Sequence, residues 1–183
     1  MDIKENSKKE KNCSFFGHRN VEKTEQLRET LINTIRWLIT EKGVNQFFFG
    51  SKSNFDDLCQ EIVKELKGQY PHIRRVYFRI CYPEIDKKYM RYILQDFEDS
   101  CFPKCVENAG IARYVKRNQE MVDMSDFCIF YYNENYKPPL RKQSRRAISS
   151  YQPKSGTMLA YQYALQKKKE IINLYDGKFG LEK

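Results

Sequence analysis

The chain is short of the residues from which metal sites and membrane spans are built. It has two histidines and no C-x-x-C pair among its six cysteines, so no zinc-ligand pattern of recognised spacing can be assembled. No apolar run approaches the length of a membrane span, and the polar amino terminus has no apolar signal core. We therefore expect no metal, no membrane partner, reduced thiols and a cytoplasmic location.

The hydrophobic and aromatic content is typical of a folded chain. Of the 183 residues, 40% are hydrophobic and 14% are aromatic, which argues against disorder. This length suits a single domain that can bury its own core. We assign residues 12–175 to that domain and residues 1–11 and 176–183 to terminal tails.

Apolar residues alternate between short strand-like runs and helical periods. Strands are predicted at Cys13–Phe16, Gln46–Phe49, Ile73–Tyr82, Phe127–Tyr132 and Glu170–Leu174. Helices are predicted at Val21–Lys42, Asn54–Gly68, Ala112–Ser125 and Thr157–Lys168. Strands that alternate with helices form βαβ units. We therefore expect an α/β, Rossmann-like three-layer fold, with a mainly parallel sheet of about five strands and helices on both faces.

Residues 84–108 have no clear period, and Pro103 interrupts them. We expect a long excursion over the ligand edge of the sheet, with at most one short helix. Glu98 and Asp99 lie in this excursion and could reach over a pocket as acid/base groups, although a charge pair in a loop is more often solvated.

The first predicted strand ends in Gly17-His18-Arg19. Glycine lets the backbone approach a ligand closely, His18 can donate or accept near neutral pH, and Arg19 can bind a phosphate or carboxylate. A turn with two solvated side chains is the commoner explanation of such a motif. Because ligands of open α/β sheets bind outside the carboxyl ends of the strands, we predict a polar small-molecule site here.

The second strand ends in Gly50 and Ser51, and Asn54 can cap the helix that follows. Free backbone N–H groups and the helix dipole favour an anion at such a position. Asp56 lies in the first helical turn, where it either caps the helix or accepts hydrogen bonds from ribose hydroxyls. The turn is not a P-loop, because G-x-x-x-x-G-K-[ST] is absent.

Ser155-Gly156-Thr157 opens the last helix and has no acidic residue beside it. It is the best phosphate-binding candidate in the sequence, with a plain helix cap as the alternative. Arg117 and Asn118, on the helix before the fourth strand, are further candidate ligand-binding residues. Ordinary surface polarity is the alternative for this pair.

The segment Lys137–Lys154 holds six Lys and Arg residues and no acid. Such a loop attracts phosphates, whether on a nucleic acid or on a small nucleotide. A solvated loop that keeps the protein soluble explains the composition equally well.

Taken in order, these motifs resemble the SLOG superfamily, the Rossmann-like group that includes the Lonely Guy ribohydrolases and DprA-like proteins. The resemblance covers about residues 12 to 175 and is greatest to small bacterial and phage members of uncharacterised role. The motifs that carry it are CSFFGHR at 13–19, G-x-x-x-x-FD at 50–56, F-E-D at 97–99, R-N-x-x-M-V-D-x-S-D at 117–126, S-G-T at 155–157 and I-I-N-L at 171–174.

The resemblance implies a pocket for a nucleotide or a nucleotide-derived ligand, whose ribose and phosphate are held by the turns at the strand ends. Some members cleave the N-glycosidic bond of nucleoside monophosphates, and others bind signals such as ADP-ribose derivatives in bacterial immunity, as in the Thoeris system. Relatives often form homo-oligomers through helix faces. No resident cofactor is implied.

The chain departs from the Lonely Guy pattern at its catalytic motif. Those enzymes carry P-G-G-x-G-T-x-x-E with a catalytic glutamate, whereas this chain has Ala160 at the corresponding position and lacks the double glycine. An oxocarbenium-like transition state normally needs a carboxylate, so hydrolysis would depend on Glu98 or Asp56.

Three functions follow as hypotheses. The first is binding of a nucleotide-derived signal, as a sensor or sequestering protein. The second is an N-glycoside hydrolase or transferase that acts on a nucleotide. The third is a nucleic-acid-binding protein that uses the Lys137–Lys154 loop, with strongly salt-dependent affinity. Most aromatic residues fall at strand positions and are predicted to lie in the core, so no stacking platform for bases is evident.

Overall fold

The computed structural model describes residues 10–50, 53–138 and 154–175. They form one six-stranded sheet in which every strand pair is parallel. The strands are β1 (Asn12–Gly17), β2 (Gln46–Phe49), β3 (Arg74–Phe78), β4 (Asp99–Cys101), β5 (Phe127–Tyr131) and β6 (Glu170–Asn173). The predicted α/β, Rossmann-like fold is confirmed, with one strand more than the predicted five or so.

Five helices connect the strands: α1 (Glu25–Thr40), α2 (Asn54–Lys67), α3 (Lys87–Ile93), α4 (Arg113–Met124) and α5 (Gly156–Gln166). Side-chain caps fix where several of them begin. The Thr24 hydroxyl accepts a hydrogen bond from Leu27 N at the start of α1, and Gly43, with a φ of 73°, follows its end. Ser53, and not the predicted Asn54, caps α2 by accepting from Asp56 N.

The strand order is β4-β3-β2-β1-β5-β6. The chain moves outward from β1 to β4, crosses back through α4 and continues from β5 to β6. The direction therefore reverses between β1 and β5, whose carboxyl ends are adjacent because Gly17 pairs with Tyr131. In doubly wound sheets a ligand binds at this kind of switch point.

Helices cover both faces of the sheet because alternate strand residues point to opposite sides. Phe15, Phe47 and Phe49 are buried with α1 and α2 on one face. Phe16, Phe48 and Phe130 are buried with α4 and α5 on the other. No helix in the described part of the chain is long and apolar enough to cross a membrane.

The excursion at residues 84–108 contains more structure than the sequence predicts. It holds the short helix α3, the edge strand β4 and a 3₁₀ turn at Lys104–Val106. β4 adds to the outside of β3, with Val76 opposite Asp99. Part of the excursion therefore belongs to the sheet itself.

Candidate functional site

The carboxyl ends of β2, β1 and β5 are neighbours at one edge of the sheet, and helices α2 and α5 begin at the same edge. Parallel pairing in register brings these ends together. The turns predicted to bind a ligand therefore lie at one edge. We name this group of turns and helix starts the carboxyl-edge site.

The first turn of α5 is fixed directly to the end of β1. The Thr157 hydroxyl donates to the Gly17 carbonyl over 2.7 Å, and Ser155 caps the helix by accepting from Met158 N over 3.1 Å. The first turn contains no acidic residue. The backbone N–H groups of Gly156 and Thr157 belong to that turn, where helix geometry supplies no acceptor. This arrangement favours an anion.

Gly17 is also where α2 meets the sheet. A Cβ built on Gly17 would lie 2.4 Å from the Cβ of Phe55, so only glycine fits at this contact. The Asn54 N–H donates to the Arg19 carbonyl over 3.1 Å and thereby joins the start of α2 to the turn after β1. The side chains of Arg19 and Asn54 are exposed, and their role in ligand binding stays a prediction.

Arg117 connects the turn after β2 to α4 and is buried, with 3% of its surface exposed. Its Nη1 donates to the Gly50 carbonyl, and its Nε and Nη2 donate to the Asn118 side-chain oxygen over 3.2 and 2.9 Å. A Cβ on Gly50 would lie 2.9 Å from Arg117 Nε. Arg117 is therefore not an ordinary polar surface residue, and that alternative is wrong for it.

Those two hydrogen bonds fix the Asn118 amide with its oxygen toward Arg117. Its nitrogen then faces the start of α5, because a Cβ on Gly156 would lie 4.0 Å from Asn118 Nδ2. Arg117 therefore contacts the Gly50 turn directly and orients Asn118 toward the first turn of α5. The sequence places these residues on different elements, and the fold brings them together.

Electrostatics make this cluster cationic but partly compensated. Burial lowers the pKa of Arg117, while the nearby Asp56 carboxylate opposes that shift. Asp56 lies in the first turn of α2 with 4% of its surface exposed. Burial also raises the pKa of the Tyr77 phenol, and the charge of Arg117 opposes the shift. Tyr77 lies inside a strand and has no turn motif, so its sequence context does not mark it as a site residue.

His18 is buried at the end of β1, with 3% of its surface exposed. Burial lowers the pKa of its imidazole, so a neutral ring is favoured. Tyr136, in the segment after β5, stacks on the ring at a centroid distance of 3.8 Å. The alternative of a solvated His18 is wrong, and Tyr136 is a site residue that the sequence analysis missed. Its only signal was its place soon after a strand end.

Glu98 lies at the opposite end of the strands, at the amino edge of the sheet. It immediately precedes β4, and its carboxylate accepts from the backbone N–H of Arg75 over 2.6 Å and from Arg75 Nη2 over 2.8 Å. Arg75 is near the start of β3, so this contact is at the amino ends of the strands. The expectation that Glu98 reaches over the ligand edge is wrong, because β4 holds the residue in the sheet.

Ala160 faces the core rather than the carboxyl-edge site. It is 2% exposed and belongs to the apolar cluster between α4, α5 and the sheet, together with Ala164 and Met121. A glutamate at this position of α5 would enter that cluster.

Two predicted features lie outside the described residues. They are Ser51 and the larger part of the basic loop, residues 139–153. Within residues 10–50, 53–138 and 154–175, no three His, Cys, Asp or Glu side chains are grouped so that they could hold a metal ion. Compared with known proteins, the chain matches no protein-family model and no curated protein.

Proposed function

We propose that the protein binds a nucleotide or nucleotide-derived small molecule at the carboxyl-edge site. The observation that carries this proposal is the buried Arg117, which holds the Gly50 turn and orients Asn118 toward the first turn of α5. A buried guanidinium is costly unless it is paired and hydrogen-bonded, and the acceptors of Arg117 are the Gly50 carbonyl and the Asn118 side-chain oxygen. Through Asn118, Arg117 adjoins the first turn of α5, where helix geometry supplies no acceptor for the backbone N–H groups.

The chemistry of the site suits the two polar parts of a nucleotide. The first-turn N–H groups of α5 and the Asn118 amide nitrogen supply neutral donors for phosphate oxygens. Asp56, at the start of α2, supplies a carboxylate that can accept hydrogen bonds from ribose hydroxyls. The switch point between β1 and β5 supports this location, because ligands of doubly wound sheets bind at such a point.

Binding without turnover is favoured over hydrolysis. Glu98 is at the far edge of the sheet, and Ala160 occupies the place of the Lonely Guy glutamate. We therefore propose a sensor or sequestering protein for a signalling nucleotide, of the ADP-ribose or cyclic-nucleotide type. Membership of the SLOG superfamily and homo-oligomerisation belong to the same proposal, and the order of the sequence motifs supports them.

Calorimetric titration of the full chain with AMP, ADP-ribose and cyclic AMP tests the proposal. At least one of these should bind, while adenosine, which lacks phosphate, should bind much more weakly. Arg117→Gln should weaken binding. Arg113→Gln is the matched control, because Arg113 lies one turn earlier on α4 and its side chain donates to the Gly110 carbonyl and to Cys81 Sγ rather than to the Gly50 turn. Absence of binding for all three nucleotides would contradict the proposal.

A second candidate function is hydrolysis of the N-glycosidic bond with Asp56 in the carboxylate role. It is favoured by one observation, the placement of the buried Asp56 carboxylate at the carboxyl edge beside Arg117. It predicts release of free base from AMP or NAD, detected by chromatography, and loss of that release in Asp56→Asn. An absence of free base at high protein concentration would exclude it.

A further inference from the structure

His18 is held more firmly than a ligand-free turn requires. It follows Gly17 at the end of β1, and only 3% of its surface is exposed. Tyr136 covers one face of its ring at 3.8 Å and a 16° interplanar angle, and Tyr132 lies 5.8 Å away at a tilt. The backbone N–H of Asn133 lies 3.0 Å from Nε2. Stacking and this hydrogen bond together fix the orientation of the ring.

The shorter of the two contacts with Asn133 favours one tautomer. A backbone N–H can only donate, so Nε2 accepts from Asn133; the carbonyl of that residue is farther away, at 3.3 Å. A neutral imidazole that accepts at Nε2 carries its proton at Nδ1. Burial lowers the pKa of the ring and favours this neutral form.

The Nδ1–H group has no acceptor within the described residues. A buried donor without a partner is unfavourable and needs an explanation. The backbone of the same turn contacts the start of α5, because the Gly17 carbonyl directly before His18 accepts the hydrogen bond from Thr157. Two features at one corner thus lack acceptors of their own: the Nδ1–H group of His18 and the first turn of α5.

We propose that His18 is a neutral, tautomer-locked donor that binds an anionic phosphate oxygen of the ligand through Nδ1–H, together with the first turn of α5. Asn133 and Tyr136 are positioning residues that act through the imidazole. This inference rests on the proposed function and deepens it, because it assigns the phosphate end of the ligand to the β1–β5 crevice. Arg117 and Asn118 would then lie on the β2 side of the ligand.

A neutral donor suits this corner better than a cation would. Dispersed neutral donors can bind phosphate at a helix start without the cost of burying an unpaired charge. Arg19, the neighbouring cation, is exposed and can approach the outer side of the same ligand. Selectivity for phosphate over an uncharged group then depends on the geometry of Nδ1–H.

Nitrogen-detected NMR of the full chain tests the tautomer and the contact together. The chain has two histidines, so His72→Gln assigns the His18 signals and, as an exposed histidine at 72, serves as the matched control. We expect the Nδ1–H tautomer in the free protein. We also expect the His18 Nδ1–H signal to move on addition of inorganic phosphate or AMP, but not of adenosine. An Nε2–H tautomer, or no movement with either phosphate probe, would overturn the proposal.

Two substitutions of His18 separate the donor at Nδ1 from the contact at Nε2. Asparagine places an amide near the position of Nδ1, whereas glutamine places one near Nε2. His18→Gln should weaken AMP binding about tenfold, the loss expected for one hydrogen bond to a charged group, and His18→Asn should retain most of the affinity. Tyr136→Leu should weaken binding, and Tyr136→Phe should not.

These outcomes distinguish this inference from the proposed function. If AMP binds equally to the wild type and to His18→Gln, the nucleotide-binding function stands and the role of His18 is wrong. If inorganic phosphate moves the His18 signal but no nucleotide binds, the phosphate corner stands and the nucleotide function is wrong. Equal weakening by His18→Asn and His18→Gln would show a purely structural histidine and would overturn the proposal.

Discussion

Two buried arginines lie at opposite edges of the sheet, and they are held in different ways. Arg75, at the amino edge, is 5% exposed, and its Nε and Nη2 donate to the Glu98 carboxylate. Arg117, at the carboxyl edge, is 3% exposed and donates to a carbonyl and an amide oxygen. One guanidinium is matched by a carboxylate in direct contact, whereas no described carboxylate forms an ion pair with the other.

This difference is the reason why we propose a structural role for Arg75 and a binding role for Arg117. The Arg75–Glu98 pair joins β3 to the start of β4 and satisfies both charges within the fold. Arg117 instead donates to two neutral acceptors, the Gly50 carbonyl and the Asn118 side-chain oxygen, and the nearby Asp56 carboxylate compensates its charge only at a distance. Burial alone therefore does not identify a functional arginine; its partners do.

The largest expected effect is a loss of stability when the Arg75–Glu98 pair is broken. Glu98→Ala leaves the buried Arg75 without its carboxylate and should lower the free energy of unfolding by about 2–4 kcal/mol, measured by urea denaturation. AMP binding should not change. Asp96→Ala is the control, since Asp96 forms an exposed, 3.8 Å ion pair with Lys64 and should cost at most about 1 kcal/mol. An unchanged stability in Glu98→Ala would contradict the structural role.

The reverse pattern is expected at the carboxyl edge. Arg117→Gln should raise the Kd for AMP about tenfold or more, which corresponds to about 1.4 kcal/mol, because the Gly50 turn and Asn118 lose their support. Its effect on the free energy of unfolding should be smaller than that of Glu98→Ala. Calorimetry and urea denaturation on the same preparations measure both quantities. A variant that loses stability but not affinity would make the two arginines equivalent.

A smaller effect is expected from Gly50→Ala. The new Cβ would lie 2.9 Å from Arg117 Nε, so the flexible guanidinium must move. Affinity for AMP should fall a few-fold, with a loss of stability of about 1 kcal/mol or less. The measurement is calorimetry, with thermal denaturation as the check on folding. Unaltered affinity would show that the position of Arg117 relative to the turn is not critical.

The smallest expected effect is on the pH dependence of stability, in which His18 and Glu98 contribute over different pH ranges. His18 has a folded pKa below its usual 6.5, because burial disfavours the charged ring. As the pH falls, the unfolded state therefore takes up a proton on His18 before the folded state does. The free energy of unfolding is highest above about pH 6.5 and declines as the pH falls below that value. His18→Asn should flatten this part of the profile.

Glu98 acts at lower pH. Burial pushes its pKa up, but the hydrogen bonds and charge of Arg75, with Lys67, outweigh burial and hold it below 4.5. Its contribution is therefore present above about pH 4.5 and is lost as the pH falls through the folded pKa. Glu98→Gln should flatten only this acid limb. Urea denaturation at a series of pH values measures both effects, and a single acid transition unaffected by either variant would contradict the assignment.

The sequence predicts the elements well and the environment of the polar side chains poorly. Periodicity locates α1, α5 and β2 because their patterns are local. It misses β4, since Asp-Ser-Cys is too short and polar to be recognised as a strand, and for that reason it places Glu98 at the wrong edge. The burial of Arg117 depends on the Gly50 turn, which is 67 residues away in the chain. No local pattern carries that information.

The site shows the same division. Ser155 as a helix cap follows from its position before an apolar helix, and the structure confirms it. The contact of His18 with Asn133 joins residues 115 positions apart, and the tautomer that we propose for the ring depends on it. Sequence reasoning can therefore name the turn but not the protonation of its histidine.

The most direct test is backbone NMR mapping of the full chain during separate titrations with AMP, ADP-ribose and cyclic AMP. For at least one of the three, we expect amide shifts that concentrate at Gly17, His18, Gly50, Gly156 and Thr157, while Arg75 and Glu98 at the amino edge stay unchanged. No shift at the carboxyl edge with any of the three, or shifts confined to the amino edge or to the basic loop, would contradict the proposed site.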